Sequence, residues 1–430
     1  METAAFALLA LGILGFGLIS RRVQTTIVTA PIVFVAFGLA LAQLDVLHLE
    51  IEREALKLLA EVTLALVLFT DAARMDLRTL RRHHDLPLRL LAIGLPLTVG
   101  LGWLLALWIF PELTAWQAAM LAAILAPTDA ALGQAVVSSP RVPVRVRQAL
   151  NVESGLNDGI ALPLVLLFMS ACAAAVAGES GAAYWGRFAA LQVTLGPLVG
   201  IAVGWLGGRA VAAARAHGWM DDAFVRLSSL GLALLAFAAA ELVHGNGFIA
   251  AFVAGLALGH TSREVVEELC EFSEAEGQLL TLLLFAAFGA ALLPAALPRV
   301  GWPALLYGVL ALTVVRMLPV ALALLGTGVR PATTLFLGWF GPRGLASVLF
   351  ALLIVENAAV GGAERVFDIV MVTVALSVLA HGTTAVPGAN WYARHTGRMQ
   401  DDAPEHVPVP ELPTRVDADS GQPAVGGQAP

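Results

Sequence analysis

The chain has 430 residues, of which 58% are hydrophobic, 13% are charged and 41 are glycine, with a formal charge of −7. Soluble domains carry roughly 25% charged residues, and mean hydropathy here is +0.81. A typical soluble globular protein, a disordered chain and a disulfide scaffold are therefore excluded, which leaves a polytopic all-α membrane protein. Two cysteines, Cys172 and Cys270, cannot build a disulfide framework. Bulk charge gives no reason to expect nucleic acid as a partner.

A spanning helix needs about 20 mostly apolar residues. In chain order, thirteen segments qualify: 3–20, 26–44, 55–73, 87–110, 114–138, 146–174, 187–208, 222–243, 246–260, 277–295, 302–325, 331–355 and 366–386. The segment 246–260 is short and glycine-rich. The first segment carries Glu2 ahead of it and Arg21-Arg22 after it, so it reads as a retained span and not a signal peptide. Basic residues in short loops set orientation. Arg21, Arg22, Arg78, Arg81, Arg82, Arg89, Arg141, Arg145, Arg147, Arg209, Arg215, Arg263, Arg330, Arg394 and Arg398 fall on one side. Arg53, Lys57, Arg187, Arg299 and Arg365 fall on the other. The bias predicts an external N-terminus and a cytoplasmic C-terminus in the inner cell membrane. The last 30 residues hold six prolines and a charge of −5, leaving −2 for the body. The expected division is a transmembrane unit over 1–390 and a largely disordered cytoplasmic tail over 391–430.

Ionisable residues inside spans are costly and mark ion paths or pairs. Eight occur here: Glu61, Asp71, Asp129, Glu153, Asp158, Glu241, Arg316 and Arg343. Asp129 follows Pro127-Thr128. A proline within a helix removes one donor and clashes with the preceding turn, so the span 114–138 is predicted to break there. Such breaks are tolerated where they line a cavity or are covered by protein, and transporters build ion sites from them. Gly341-Pro342-Arg343-Gly344 predicts a second break in the span 331–355. The two broken spans are seven apart and run in opposite directions, which predicts inverted repeats around a midplane site. A mid-membrane arginine needs a partner, and Glu153 or Asp129 is the expected one for Arg343.

Within Asn151–Gly159, Ser154 and Asp158 are four apart and share a helix face, with Glu153 and Asn157 on the neighbouring one. Thr128, Asp129, Ser154 and Asp158 offer hydroxyl and carboxylate oxygens, the ligands of a hard monovalent cation. No His/Cys cluster points to a transition metal, and no cofactor is expected. The expected remaining roles are structural. Glu241 and Arg316 read as a structural pair or as lining the dimerisation side, His244 as a residue at a surface helix end and His381 as a packed, hydrogen-bonded side chain. The Glu-rich stretch 261–277 reads as a solvated loop.

Pro127-Thr128-Asp129, Glu153–Gly159 and Gly338–Gly344 together resemble the motifs of sodium/proton antiporters. Gly245–Gly255 and Ser377–Thr384 fit the same pattern. The chain is similar to NhaP-type members of the electroneutral, Asn-Asp branch of the monovalent cation:proton antiporters. That resemblance implies a homodimer, with a core and a dimerisation subdomain per protomer and two discontinuous helices that cross near the ion site. It implies that Asp158 binds cation or proton and that Thr128, Asp129 and Ser154 help to coordinate the cation. Asn157 then stands where electrogenic relatives carry a second aspartate, and Glu153 with Arg343 holds the core. Many relatives carry a glutamate after Leu-Phe in the third span; here Leu68-Phe69 leads to Thr70-Asp71, one position later. The implied function is exchange of a monovalent cation (sodium first, lithium or potassium also) for one proton, by competition at Asp158. The alternatives are a potassium/proton antiporter or cation channel of the same superfamily, a sodium-coupled symporter, and an intramembrane aspartyl protease using Asp129 and Asp158.

Overall fold

A computed structural model describes residues 2–23, 26–43, 53–75, 85–177, 179–261, 263–355, 361–397, 399 and 403–409. Arg78, Arg81, Arg82, Arg398, Asp401, Asp402 and residues 410–430 lie outside the described residues. Those described form helices and connecting turns, with no strand among them.

The helices are α1 (Glu2–Val23), α2 (Ala30–Gln43), α3 (Arg53–Ala73) and α4 (Asp85–Ile109, with a π-helical turn at Leu90–Gly94). The short α5 (Ala115–Ile124) and α6 (Ala130–Val137) follow, then the long α7 (Val144–Ala177) and α8 (Glu179–Ala216). Next come α9 (Asp222–Leu242), α10 (Gly247–Thr261) and α11 (Arg263–Ala287), which continues through a π-helical turn at Phe288–Leu292. The last are α12 (Trp302–Leu312), α13 (Val314–Ala323), α14 (Pro331–Trp339), α15 (Leu345–Val355) and α16 (Ala363–Thr396). Seven stretches among the described residues are long and apolar enough to cross a membrane, and five shorter apolar helices accompany them. The chain is therefore an integral, all-α membrane protein.

Three of the apolar segments are each split into a pair of short helices: α5/α6 and α14/α15 at the proline-containing stretches, and α12/α13 at Thr313. The short glycine-rich segment is also a helix, α10, and small residues explain its place at the centre. A Cβ on Gly255 would stand 2.1 Å from the Phe69 carbonyl oxygen of α3. On the other face, a Cβ on Gly204 of α8 would stand 2.3 Å from the Ala254 carbonyl oxygen. Helices in lipid lack a hydrophobic drive to associate and depend on such close backbone approach.

Two expectations need correction. The Glu-rich stretch 261–277 is not a loop: from Arg263 it is the first half of α11. The final span runs on through Pro387 to Thr396, past the expected end at 386. Beyond it, a short 3-10 turn at Pro404–His406 folds back, and Glu405 within it is buried.

Candidate functional site

Pro127 has no N–H, and α5 ends at Ile124 with the chain becoming helical again at Ala130. Likewise α14 ends at Trp339 and α15 starts at Leu345. Each break leaves backbone groups without intrahelical partners, and each needs satisfaction inside the protein. The two breaks satisfy one another. The Asp129 N–H donates to the Pro342 carbonyl oxygen at 2.8 Å, and the Leu345 N–H donates to Asp129 Oδ2 at 2.9 Å. The Ser347 hydroxyl donates to the Ile124 carbonyl at 2.8 Å. The Arg343 Nη1 donates to the Pro127 and Gly341 carbonyls at 3.2 and 3.1 Å. His381 Nε2 lies 2.9 Å from the Trp339 carbonyl oxygen, and the Arg343 N–H donates to Ser377 Oγ at 2.7 Å.

This arrangement also follows the helix dipoles. A helix start carries partial positive charge and a helix end partial negative charge. Asp129 places a carboxylate at the start of α15, and the fully buried Arg343 places a guanidinium at the ends of α5 and α14. Gly344 makes the crossing possible, because a Cβ there would lie 1.8 Å from Asp129 Oδ2. Gly344→Ala is expected to cost about 1–3 kcal/mol, as overpacking does, read as a lowered thermal midpoint in detergent. A midpoint unchanged from the parent chain would show that the breaks do not touch.

The middle turns of α7, from Ser154 to Asp158, face this crossing. Thr128 Oγ1 and Ser154 Oγ are hydrogen-bonded at 2.9 Å, and Asn157 Nδ2 donates to Thr128 Oγ1 at 2.6 Å. Asp129 and Asp158 line one small cavity of about 30 Å³, with Thr63 of α3, Thr281 of α11 and Leu345 also in its wall. A water needs roughly 10–15 Å³ of such space, so the cavity suits one cation with a water and is too small for an organic solute. Asp71 is buried beside Gly155, one turn along from Asp158, and does not line the cavity.

Two pairings differ from expectation. Glu153 does not pair with Arg343. Its carboxylate takes two hydrogen bonds from Arg316 of α13, Nη1 to Oε1 at 2.5 Å and Nη2 to Oε2 at 2.8 Å. Arg343 instead gives Nη1 to two backbone carbonyls of the breaks, while its buried Nε and Nη2 have no hydrogen-bond partner among the described residues. Glu241 consequently is not the partner of Arg316; its Oε1 accepts the Gly247 N–H at 2.8 Å at the start of α10. His244 is exposed in a left-handed turn (φ 61°), and His381 is buried and hydrogen-bonded. Sequence reasoning missed Ser347, Thr63 and Thr281. Hydroxyls often satisfy their own helix carbonyls, so their types carried no signal. Arg316 did signal, as a charge in an apolar helix, but without naming its partner.

The profile for "Sodium/hydrogen exchanger, transmembrane" matches residues 6–391. The chain belongs to that family. It is 26% identical over 397 residues to the K(+)/H(+) antiporter NhaP of Alkalimonas amylolytica, covering 91% of this chain and 67% of that protein. It is 25% identical over 335 residues to the K(+)/H(+) antiporter NhaP2 of Shewanella oneidensis, covering 77% of this chain and 57% of that protein. The chain thus spans between about half and two thirds of the length of these curated relatives. Among solved structures, the sodium proton antiporter MjNhaP1 from Methanocaldococcus jannaschii superposes with a TM-score of 0.74 at 20% identity, covering 91% of this chain and all of that one. The fold is that of this sodium proton antiporter.

Proposed function

We propose that this family member exchanges one monovalent cation for one proton through the Asp129–Asp158 cavity. The observation that carries the reading is a pair of carboxylates on a cavity of about 30 Å³, at the crossing of two broken helices. Asp129 is engaged at the helix start by the Leu345 N–H. Asp158 stands on the unbroken α7 and lines the same space. One Asp158 carboxyl holds either a proton or a cation but not both, and that competition couples the two flows. Thr128 and Ser154 are not in the cavity wall; their mutual hydrogen bond joins the segment that carries Asp129 to the helix that carries Asp158, and the hydroxyls in the wall are those of Thr63 and Thr281. Asn157 is an amide that clamps Thr128 and does not titrate, so one charge exchanges for one charge and transport is electroneutral.

Sodium is the first expected substrate. The names of the NhaP and NhaP2 relatives set potassium beside it. The protomer is read as half of a homodimer in the inner membrane, with its N-terminus outside. Movement of the crossing relative to α3 and α11 would open the cavity to one side and then the other.

The test is purified protein in vesicles that trap a pH dye, challenged in turn with sodium, lithium and potassium gradients. The expected result is cation-driven proton flux that an imposed membrane potential leaves unchanged. Proton flux with none of the three cations sinks the antiport reading. Net cation uptake driven by potential sinks electroneutrality.

A further inference from the structure

The two half-helices that enter the crossing are capped in different ways. The start of α5 is closed locally, by a reciprocal capping box in which Thr114 Oγ1 accepts the Gln117 N–H and Gln117 Oε1 accepts the Thr114 N–H. The start of α14 has no such device. Its N-cap position is Arg330, which has no side-chain acceptor, and Pro331 follows it. An uncapped start leaves donors unsatisfied and a partial positive charge unanswered.

The missing cap comes from the chain beyond the last helix. Glu405 is 1% exposed, and its Oε1 accepts both the Arg330 N–H and the Thr333 hydroxyl, each at 2.7 Å. Thr333 Oγ1 is also 2.9 Å from the Tyr392 hydroxyl of α16. Next to Glu405, the Pro404 carbonyl accepts from Arg145 Nη1 at 2.5 Å, and Arg145 in turn pairs with Asp85 at 2.8 Å. Pro404 also sits against the turn at Gly328. One short stretch of chain thus ties together the starts of α14, α7 and α4 and the end of α16. Burial pushes the Glu405 carboxyl up, but the hydrogen bonds from Arg330 and Thr333 outweigh it and hold the group below the usual carboxylate range.

The far end of α14 is the break itself. Nine residues make a rod about 13 Å long, too short to bend, so its start and its end move together. We propose that Glu405 is a positioning residue for exchange. Its carboxylate caps α14 from a distant stretch of chain and thereby holds the Trp339–Gly344 break in place against Asp129 and Asp158. The proposal rests on the exchange reading above.

The test compares full-length parent chain, Glu405→Ala, Glu405→Gln and Thr333→Val in vesicles, measuring apparent KM for the cation and turnover per folded transporter. Glu405→Ala should raise the apparent KM roughly five-fold, the size of one lost cap. Glu405→Gln keeps an acceptor without the charge and should fall between the parent and Glu405→Ala. Adding Thr333→Val to Glu405→Ala should add less than the two single effects together, because the two side chains share one bond. A merely stabilising contact lowers the thermal midpoint and leaves KM and turnover per folded transporter at parent values; KM unchanged in these variants overturns the proposal. If Glu405→Ala does not fold, an unchanged KM in both Glu405→Gln and Thr333→Val overturns it equally. A parent chain without exchange overturns the antiport reading and the proposal with it, whereas exchange with unshifted KM overturns the proposal alone.

Discussion

Asp158→Asn is expected to reduce cation-driven proton flux to the level of protein-free vesicles while the protein stays folded. The substitution keeps size and shape, so α7 and its packing against the crossing are preserved. It removes the group that holds a proton in one half of the cycle and a cation in the other. The cavity has no room for a substitute, since about 30 Å³ admits a cation and little more. Asp129 is held at the start of α15, where its Oδ2 receives the Leu345 N–H, so its carboxylate has a second task that Asp158 does not share. Stability should not fall, since an amide costs less to bury than a carboxylate. The measurement is flux per folded transporter, with the thermal midpoint as control. Exchange at the parent rate would move the proton and cation site elsewhere.

A milder change at the same place separates coordination from titration. Thr128→Val removes the hydroxyl that joins Ser154 and Asn157 and leaves both carboxylates. It is expected to raise the apparent KM for the cation without abolishing exchange. Flux as low as that of Asp158→Asn would mean that the hydroxyl network, and not the carboxyl, carries the coupling.

Much of this site is legible in the residues because its rules are local. Pro127 and Pro342 each stand next to a charged or polar residue in an apolar run, which separates them from Pro163, Pro197 and Pro387, all carried inside continuous helices, and Gly344 next to Arg343 marks a close approach. A carboxylate in an apolar run declares itself by its cost, which is why Asp129, Glu153 and Asp158 stand out. What the residues do not reveal is pairing at a distance. Glu153 and Arg316 are 163 positions apart, and a buried charge announces that it has a partner without saying which. Arg343 had two carboxylates to choose from and took carbonyl ends, because the number of free carbonyls depends on how the two breaks cross. Glu405 lies in a proline-rich acidic stretch whose composition reads as tail. Only the missing cap on Arg330, a defect visible once α14 is placed, gives that residue a task.

The Glu153–Arg316 pair is where the largest loss of stability is expected. Both side chains are 2% exposed and the contact is bidentate. Removing one partner strands a charge away from water, which costs on the order of 3–5 kcal/mol. Arg316→Met and Glu153→Leu should therefore each destabilise strongly, measured as unfolding in detergent. The double substitution should recover most of the loss, because two apolar side chains of similar size leave no charge behind. A single-substitution cost of less than about 1 kcal/mol would place the pair with exposed ion pairs and contradict its burial. Stability is only half of the expected result. The guanidinium lies under the second break, so close that a Cβ on Gly341 would be 2.4 Å from Arg316 Nε, and Arg316 Nη2 is within 3.4 Å of the Leu337 carbonyl oxygen. The pair thereby links α7, which carries Asp158, to the end of α14. Apolar replacements restore packing but not that directional link. The double variant should fold as well as the parent chain and still exchange more slowly, whereas recovery of both properties would reduce the pair to a neutral filling of the core.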